Sequence, residues 1–257
     1  MAPDWQVSQL TAIILAGGRG SRLQDDTNDL IPKPMVTIGD KPILEHIINI
    51  YVTQGVQRIV VASGHLGEQI EEWVQHLSIG GASIEVIQTG EDTQTGGRIA
   101  AVCNSPQAWV PDWFGHGKPF FLTYGDGLSD INLAALLEHH TRLRRTDVLA
   151  TMTAVHPPAR FGSITIEKGK AKVFLEKSQA DGWINGGFYV IEAKAVSLIP
   201  APSCRWEYDV LPILSHQGRL GAFQHPGWWM CMDTRRDREY LEETWKIGHA
   251  PWTRWSQ

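Results

Sequence analysis

The sequence predicts an α/β fold with a single doubly wound, mostly parallel mixed sheet, an added β-hairpin and a helical C-terminus. Three observations support this prediction. Short apolar, β-prone runs alternate with helical patterns through the first 155 residues, an order typical of parallel sheets with helices on both faces. A glycine-rich run directly follows the first predicted strand. After residue 155 the chain becomes strand-rich, with a hairpin pattern and one terminal helix.

Apolar periodicity locates the elements of the first half. Apolar residues at helical spacing predict helices, and short β-branched runs predict strands. His139 and His140 are adjacent on the last predicted helix, so we expect both at the surface. The predicted strands are 11–15, 58–63, 83–89, 120–124 and 148–155, and the predicted helices are 41–54, 66–77, 97–103 and 131–145.

The second half follows a different pattern. Two β-prone runs around a Lys-Gly turn predict a hairpin of 162–167 with 171–176. A strand over 185–191, a strand-rich stretch over 219–232 and a helix over 235–247 follow. No linker in the sequence is long or polar enough to separate two independent domains. We therefore predict one domain over residues 1–257.

Composition excludes several function classes. The net charge is −5, which argues against a general nucleic-acid surface. The 3 cysteines are far apart and form no CxxC, so we expect neither a disulfide framework nor a zinc site, and a reducing cytoplasm fits. The N-terminus does not resemble a signal peptide, and no apolar run approaches transmembrane length. We expect a cytoplasmic protein with no membrane or nucleic-acid partner.

The glycine-rich loop, residues 15–23, is the strongest indication of function. Its sequence, Leu-Ala-Gly-Gly-Arg-Gly-Ser-Arg-Leu, lets backbone N–H groups approach a polyphosphate without obstruction by Cβ atoms. It lacks the Lys-Ser/Thr of a Walker loop and the third glycine of a dinucleotide fingerprint. Arg22 and Lys33 provide positive charge, and Pro32 and Pro34 stiffen the segment around Lys33. We predict a nucleotide site formed by Leu15, Ala16, Gly17, Gly18, Arg19, Gly20, Ser21, Arg22 and Lys33.

Two carboxylates follow apolar strands. Asp126 lies between glycines at the end of the 120–124 strand, and Asp233 lies just before the last helix. Alone, Asp126 could form a turn and Asp233 could cap the helix. Together with a phosphate loop they favour a Mg²⁺ site, because Mg²⁺ takes oxygen ligands and keeps several waters.

Other polar positions have weaker indications. Lys177 ends the hairpin, where it could meet a second anion or simply face solvent. Asn185 and Gly186 form a polar strand entry suited to sugar hydroxyls, or a bulge. Thr93 and Arg98 flank a second glycine-rich turn, which could bind a nucleotide base or be an ordinary loop.

Tryptophan is abundant, with 11 residues in the chain. Trp228, Trp229, Trp245, Trp252 and Trp255 lie near the C-terminus. Such residues could fill the core or lie between subunits, since aromatic residues concentrate at interface cores.

Several motifs together resemble the sugar-phosphate nucleotidyltransferase family, and within it the cytidylyl branch. They are the glycine-rich loop, Pro-Lys-Pro-Met-Val at 32–36, Gly-Asp-Lys-Pro-Ile-Leu at 39–44, Thr-Gly-Gly-Arg at 95–98, Phe-Leu-Thr-Tyr-Gly-Asp-Gly at 121–127, Asn-Gly-Gly-Phe at 185–188 and Met-Asp-Thr at 232–234. The resemblance covers nearly the whole chain after Thr11. Between Trp73 and Gly90 this chain is shorter than that branch.

The resemblance implies a Rossmann-like nucleotidyltransferase fold and a reaction. A cytidylyl group passes from CTP to α-D-glucose 1-phosphate, giving CDP-glucose and pyrophosphate. Residues 11–155 would form the nucleotide-binding half, and residues 156–257 the sugar-phosphate half with the C-terminal tail. The enzyme would act as a homo-oligomer. Alternatives are another nucleotide (UTP, dTTP or GTP), a modified or carbocyclic sugar phosphate, a non-catalytic nucleotide-sugar sensor, or a purely structural oligomer.

The resemblance also implies roles for individual residues. Arg22 would hold the leaving pyrophosphate and Lys33 the phosphates at the reacting centre, both as catalytic residues. Asp126 and Asp233 would bind Mg²⁺. Thr93, Arg98 and Gly125 would lie near the nucleotide, and Lys177, Asn185 and Gly186 would bind the sugar phosphate.

Overall fold

A central sheet organises the computed structural model, which describes residues 5–20, 30–107, 109–114, 117–158, 163–167, 170–175 and 182–256. Within these residues the sheet has eight strands, which confirms the predicted α/β class. The strands are β1 (Thr11–Ala16), β4 (Arg58–Ser63), β5 (Ser83–Gln88), β6 (Phe120–Tyr124), β8 (Ala150–Val155), β11 (Ile184–Asn185), β12 (Tyr189–Ile191) and β13 (Leu220–His225). Three short antiparallel pairs accompany them: β2 (Thr37–Ile38) with β3 (Lys41–Pro42), β7 (Gly127–Ser129) with β14 (Trp229–Cys231), and β9 (Ser163–Glu167) with β10 (Lys170–Leu175).

The sheet is mixed and mostly parallel. Strands β5, β4, β1 and β6 are parallel neighbours in that order. Strand β12 runs antiparallel between β6 and β8, and the short β11 also pairs antiparallel with β8. Strand β13 adds a parallel partner to β8. The carboxyl ends of β1 and β6 therefore meet at one edge of the sheet, where ligands bind in folds of this class.

Helices cover both faces of the sheet, as predicted. Alternate side chains of β1 enter two separate cores: Ala12 and Ile14 face one, and Ile13 and Leu15 the other. The helices are α1 (Ile43–Val52), α2 (Gly67–Gln75), α3 (Thr95–Cys103), α4 (Val110–Phe114), α5 (Leu133–Leu143), α6 (Leu211–His216) and α7 (Arg235–Lys246). The first core receives α1, α2, α5 and α7, and the second receives α3, α4 and α6. The described elements also include one five-residue π-helical turn, Trp206–Val210. They further include 3₁₀ turns at Val7–Gln9, Lys33–Met35, Arg144–Thr146, Ala193–Leu198 and Pro251–Ser256.

The predicted strand over 185–191 is wrong as a single element. It is divided into β11 and β12, because Gly187 has φ +74° and Phe188 has φ +45°. The side-chain oxygen of Asn185 accepts a hydrogen bond from the Gly187 N–H at 3.1 Å and holds this turn. An alternation of residue types cannot show a left-handed backbone, which is why the sequence pattern suggests one strand.

The prediction that His139 and His140 are both surface residues is wrong for His140. Its side chain is fully buried, with Nδ1 2.8 Å from the Thr151 hydroxyl and Nε2 3.0 Å from the Glu192 carboxylate. Arg144 donates to the same carboxylate at 2.9 Å. A polar network thus secures α5 against β8, which explains why a buried polar residue is tolerated there.

Four of the tryptophans near the C-terminus pack within the chain: Trp228, Trp229, Trp245 and Trp252. Trp252 is 2% exposed, and its ring lies 5.1 Å from that of Trp228 and 6.3 Å from that of Trp245. Its indole N–H donates to Nδ1 of His46 at 3.2 Å. Filling of the core therefore accounts for Trp252.

No helix in the described ranges is both long and apolar enough to span a bilayer.

The burial of His46 predicts a loss of stability in acid. Its Nε2–H donates to the carbonyl of Ile38 at 2.9 Å, while Nδ1 accepts from Trp252, so the neutral ring satisfies both partners. Burial lowers the pKa of His46. As the pH falls, His46 therefore takes up a proton in the unfolded chain before it does so in the folded protein. The stability that neutral His46 contributes above about pH 6.5 is lost as the pH falls toward its lower folded pKa.

We expect the urea concentration at the unfolding midpoint to decrease as the pH is lowered from neutral to about 5.5. The decrease should be smaller in His46→Gln. The exposed His76 provides a matched control, because His76→Gln should keep the full decrease. Parallel pH profiles for the native chain and His46→Gln would show that His46 makes no contribution.

Candidate active site

A cleft with a volume of about 640 Å³ opens where β1 and β6 end. One wall is the glycine-rich loop, and the opposite wall is the segment leading into α3. Most of the predicted site residues line it: Leu15, Ala16, Gly17, Gly18, Arg19, Gly20, Lys33, Thr93, Arg98, Gly125, Asp126 and Asp233. The predicted residues Ser21, Arg22 and Lys177 lie outside the described residues.

The glycines of the loop serve different purposes. A Cβ at Gly17 would lie 2.2 Å from the Arg98 guanidinium, so any side chain there is excluded. A Cβ at Gly20 would lie 2.8 Å from that of Lys33, and Gly20 has φ +62°. Around Gly18 the space is open to 4 Å. The loop therefore leaves room for Arg98 and Lys33 and keeps free space above Gly18, as a bound phosphate would require.

Lys33 joins the two predicted metal ligands. Its ammonium nitrogen lies 2.5 Å from a carboxylate oxygen of Asp126 and 2.8 Å from one of Asp233. The Lys33 side chain is 13% exposed and each aspartate 28%, so the cluster opens toward the cleft. Burial lowers the pKa of Lys33, but the two carboxylates outweigh it and the pKa is raised overall. Lys33 is therefore positively charged at neutral pH.

Two short elements bring the aspartates together. Strand β7 follows Asp126, strand β14 precedes Asp233, and the two strands pair antiparallel. The Met232 N–H donates to the Asp126 carbonyl at 2.8 Å and extends this ladder to the site. The alternative that Asp233 caps α7 is wrong, because Thr234 is the N-cap and forms a capping box with Asp237. The Asp233 side chain is thus available to the cleft.

The donor set suits Mg²⁺. Two carboxylates that approach the same nitrogen lie close enough to share one small cation, and oxygen ligands are those that Mg²⁺ prefers. Among the described residues no group of three or more acidic, histidine or cysteine side chains forms a complete metal cage. Mg²⁺ commonly completes its shell with water and substrate phosphates, so two protein ligands are sufficient.

Arg98 links the two walls of the cleft. Its side chain is buried, and its guanidinium donates to the carbonyls of Gly17 at 2.9 Å, Ser63 at 3.0 Å and Gly90 at 2.8 Å. It also donates to the Thr89 hydroxyl at 2.5 Å. Burial lowers the pKa of Arg98. Its position is near the predicted nucleotide, but its donors already bind the protein, so it supports the shape of both loops.

Two residues that the sequence pattern did not indicate, Glu91 and His65, join the predicted Arg19 beside the cleft. Glu91 pairs with Arg19 at 2.8 Å and with His65 at 2.7 Å. The hydrogen bond from His65 and the charge of Arg19 lower the pKa of Glu91. The three side chains come from separate loops, so no local pattern in the sequence indicates Glu91 or His65.

The two predicted sugar-binding residues in the described chain do not line this cleft. The Asn185 amide donates to the Tyr189 hydroxyl at 2.5 Å. Gly186 donates its N–H to the Thr153 carbonyl at 2.9 Å, and its carbonyl accepts from the Trp229 indole at 2.8 Å. Both residues thus take part in the turn between β11 and β12, and their contact with a sugar stays a prediction.

A family match identifies the class of protein. Residues 11–243 match the nucleotidyl transferase family. The chain belongs to that family. It is 37% identical to glucose-1-phosphate cytidylyltransferase of Salmonella typhi, across 96% of this chain and all of that protein. It is 35% identical to a Bacillus subtilis protein named probable glucose-1-phosphate cytidylyltransferase, with 96% and 100% covered.

This nucleotidyltransferase also resembles more distant proteins. A rice protein named probable mannose-1-phosphate guanylyltransferase 1 is 29% identical, over 94% of this chain and 67% of that one. The crystal structure of HddC from Yersinia pseudotuberculosis, complexed with GMP-PN, superposes with a TM-score of 0.67 at 25% identity, covering 92% of this chain and 99% of that chain.

Replacing Lys33 should change how this nucleotidyltransferase responds to a metal alone. Lys33→Met removes the cation and leaves two carboxylates facing each other, so a divalent ion should bind there more readily. We expect millimolar MgCl₂ to raise the melting temperature of nucleotide-free Lys33→Met by about 2–4 °C more than that of the native chain. The double variant Lys33→Met/Asp126→Asn should lose this response, and equal shifts in all three proteins would contradict it.

Arg98 should be required for stability. Lysine has a single ammonium in place of the planar fork, so Arg98→Lys leaves several buried carbonyls without donors. We expect a loss of about 3 kcal/mol in the free energy of unfolding, measured in urea. Arg142→Lys is the matched control, because the Arg142 pair with Glu138 is exposed and contributes less than about 1 kcal/mol. Equal losses in the two variants would refute this role.

Proposed function

We propose that the chain transfers a cytidylyl group from CTP to α-D-glucose 1-phosphate, giving CDP-glucose and pyrophosphate. The Lys33–Asp126–Asp233 cluster beside the glycine-rich loop is the observation that carries the proposal. It puts a cation and two carboxylates that would bind a metal at one end of a nucleotide-sized cleft. The full-length similarity to the Salmonella typhi cytidylyltransferase supports CTP and glucose 1-phosphate as substrates.

The reaction is a substitution at phosphorus. An oxygen of the sugar phosphate attacks the α-phosphorus of CTP and forms a new P–O bond. The bond from the α-phosphorus to the bridging oxygen of the β-phosphate breaks, and pyrophosphate leaves with that electron pair. No covalent intermediate on the protein is needed, so catalysis consists of positioning and charge neutralisation.

Particular residues would supply the positioning and the charge neutralisation. The Lys33 ammonium can shift from the carboxylates toward the substrate phosphates as negative charge develops on them. This makes Lys33 the principal catalytic residue of the proposal. Asp126 and Asp233 would hold Mg²⁺, and the bound ion would neutralise phosphate charge. Arg22 is proposed to bind the leaving pyrophosphate, and Lys177 the sugar phosphate. Removal of one such contact typically costs about 3 kcal/mol, or roughly a hundredfold in rate.

The remaining parts of the proposal concern organisation. Residues 1–257 would act as one domain, with 11–155 binding the nucleotide and 156–257 the sugar phosphate. We propose a homo-oligomer that works in the cytoplasm, on free nucleotide and sugar phosphate.

A second candidate uses a different base and sugar. The similarity to the rice guanylyltransferase and to HddC crystallised with GMP-PN favours GTP as the alternative nucleotide and mannose 1-phosphate as the alternative acceptor. Its phosphate chemistry would be the same.

A matrix of substrates tests the proposal. Pyrophosphate release is measured with CTP, UTP, dTTP, GTP and ATP, each against glucose, mannose and galactose 1-phosphates. We expect kcat/KM for CTP with glucose 1-phosphate to exceed every other pair at least about tenfold. Lys33→Met is the negative control and should lower kcat about a hundredfold. A maximum at GTP with mannose 1-phosphate would establish the second candidate, and release with no pair would reject both.

A further inference from the structure

A chain of hydrogen bonds connects three parts of the fold beneath the cleft. Tyr124 ends β6 and lies two residues before Asp126. Tyr189 begins β12, and Glu207 lies in the π-helical turn before α6. The Tyr124 hydroxyl lies 2.6 Å from one oxygen of Glu207 and 3.0 Å from the Tyr189 hydroxyl. Only Tyr124 of these three lines the cleft, and none of them is in the predicted site.

The donor and the acceptor of each hydrogen bond in this series follow from the chemistry of the groups. The Asn185 oxygen accepts from the Gly187 N–H, so its amide nitrogen faces Tyr189 and donates at 2.5 Å. The Tyr189 hydroxyl therefore accepts from Asn185 and gives its own proton to Tyr124. Tyr124 in turn gives its proton to Glu207, because a carboxylate can only accept.

Glu207 also binds the opposite wall. Its second oxygen accepts from the Thr95 hydroxyl at 2.7 Å, and that hydroxyl accepts from the Trp206 N–H at 2.9 Å. Thr95 begins α3 and lines the cleft beside Thr93 and Gln94. One carboxylate thus connects the residue before the Gly125–Asp126 turn to the start of α3. π-Helical turns are uncommon and occur frequently at functional sites.

The Tyr124 hydroxyl has a single proton to donate. Since this proton is donated to Glu207 and the oxygen already accepts from Tyr189, one acceptor position is left on the Tyr124 oxygen. A ligand group that reaches this oxygen must therefore be a donor.

We propose that Glu207 is a positioning residue that orients the Tyr124 hydroxyl. Tyr124 then selects substrates with a ring hydroxyl that donates a hydrogen bond to the Tyr124 oxygen. Phosphate groups near Asp126 only accept. The donors bonded nearest to those phosphates are the ring hydroxyls, whereas the amino group of the base is separated from them by the ribose. Either the ribose of the nucleotide or the hexose of the sugar phosphate can supply the donor. This inference rests on the proposed function for the identity of the substrates, but the interaction between Glu207 and Tyr124 does not.

A double-mutant cycle tests it. Glu207→Gln keeps the shape of the side chain and removes one of its two acceptor oxygens, and Tyr124→Phe removes the hydroxyl. We expect each to raise KM for one substrate about tenfold. The double variant should lie within about twofold of Tyr124→Phe, because both changes remove the same contact. Tyr208→Phe, one residue from Glu207 with an exposed side chain, is the matched control and should leave both KM values unchanged.

Substrate analogues then locate the hydroxyl. The 2′-deoxy and 3′-deoxy nucleotides test the ribose, and deoxyglucose 1-phosphates test the hexose. One analogue should be poor for the native enzyme, and Tyr124→Phe should no longer distinguish it from the parent compound. A penalty confined to either ring supports the proposal and names the source.

Other outcomes overturn it. Effects of Glu207→Gln and Tyr124→Phe that multiply in the double variant would show that Glu207 acts independently of Tyr124. Unchanged KM values, or equal discrimination by native enzyme and Tyr124→Phe against every analogue, would also reject it. Urea unfolding checks each variant, and Glu207→Asp replaces Glu207→Gln if the latter does not fold. The cycle is measured with whichever nucleotide and sugar phosphate react in the substrate matrix. If no pair reacts, nucleotide binding is measured in its place. A failure of the proposed function is therefore distinguished from a failure of this proposal.

Discussion

The ammonium of Lys33, held between Asp126 and Asp233, is the interaction around which the rest of the site is arranged. Lys33 is separated from the two aspartates by 93 and 200 residues in the sequence. Bringing two carboxylates together costs free energy unless a cation lies between them. In this structure Lys33 provides that cation. In the proposed reaction, Mg²⁺ and the phosphates would take over parts of this charge balance and leave Lys33 free to act on the reacting phosphate.

Supporting residues keep this arrangement rigid. Arg98 ties the glycine-rich loop to the loops after β4 and β5, and Asp237 holds the backbone before α7 through hydrogen bonds to Asp233 and Thr234. Glu207 connects Tyr124 to Thr95 on the opposite wall. Each of these residues is half-buried or buried and satisfies several polar groups at once. An open cleft that must bind a highly charged substrate therefore has walls whose hydrogen bonds are already made within the protein.

Much of the fold could be predicted from the chain because its signals are local. The alternation of apolar runs and helical stripes indicates the parallel sheet, and the glycine-rich loop with Lys33 indicates the nucleotide end. The same reasoning failed where the outcome depends on distant partners. His140 is buried because Thr151 and Glu192 satisfy it, and residues 185–191 divide into two strands because of a turn with positive φ.

The sequence by itself determined the fold class, the family and the candidates for phosphate and metal binding, because strand patterns and motif spacings are written along the chain. Only the tertiary structure decided that Asp233 faces Lys33 and leaves capping to Thr234, that Arg98 supports the loops, and that Glu207 reaches Tyr124. Those outcomes depend on which strands pair and which backbone carbonyls need donors. Such contacts join residues far apart in the sequence, and no local pattern contains them.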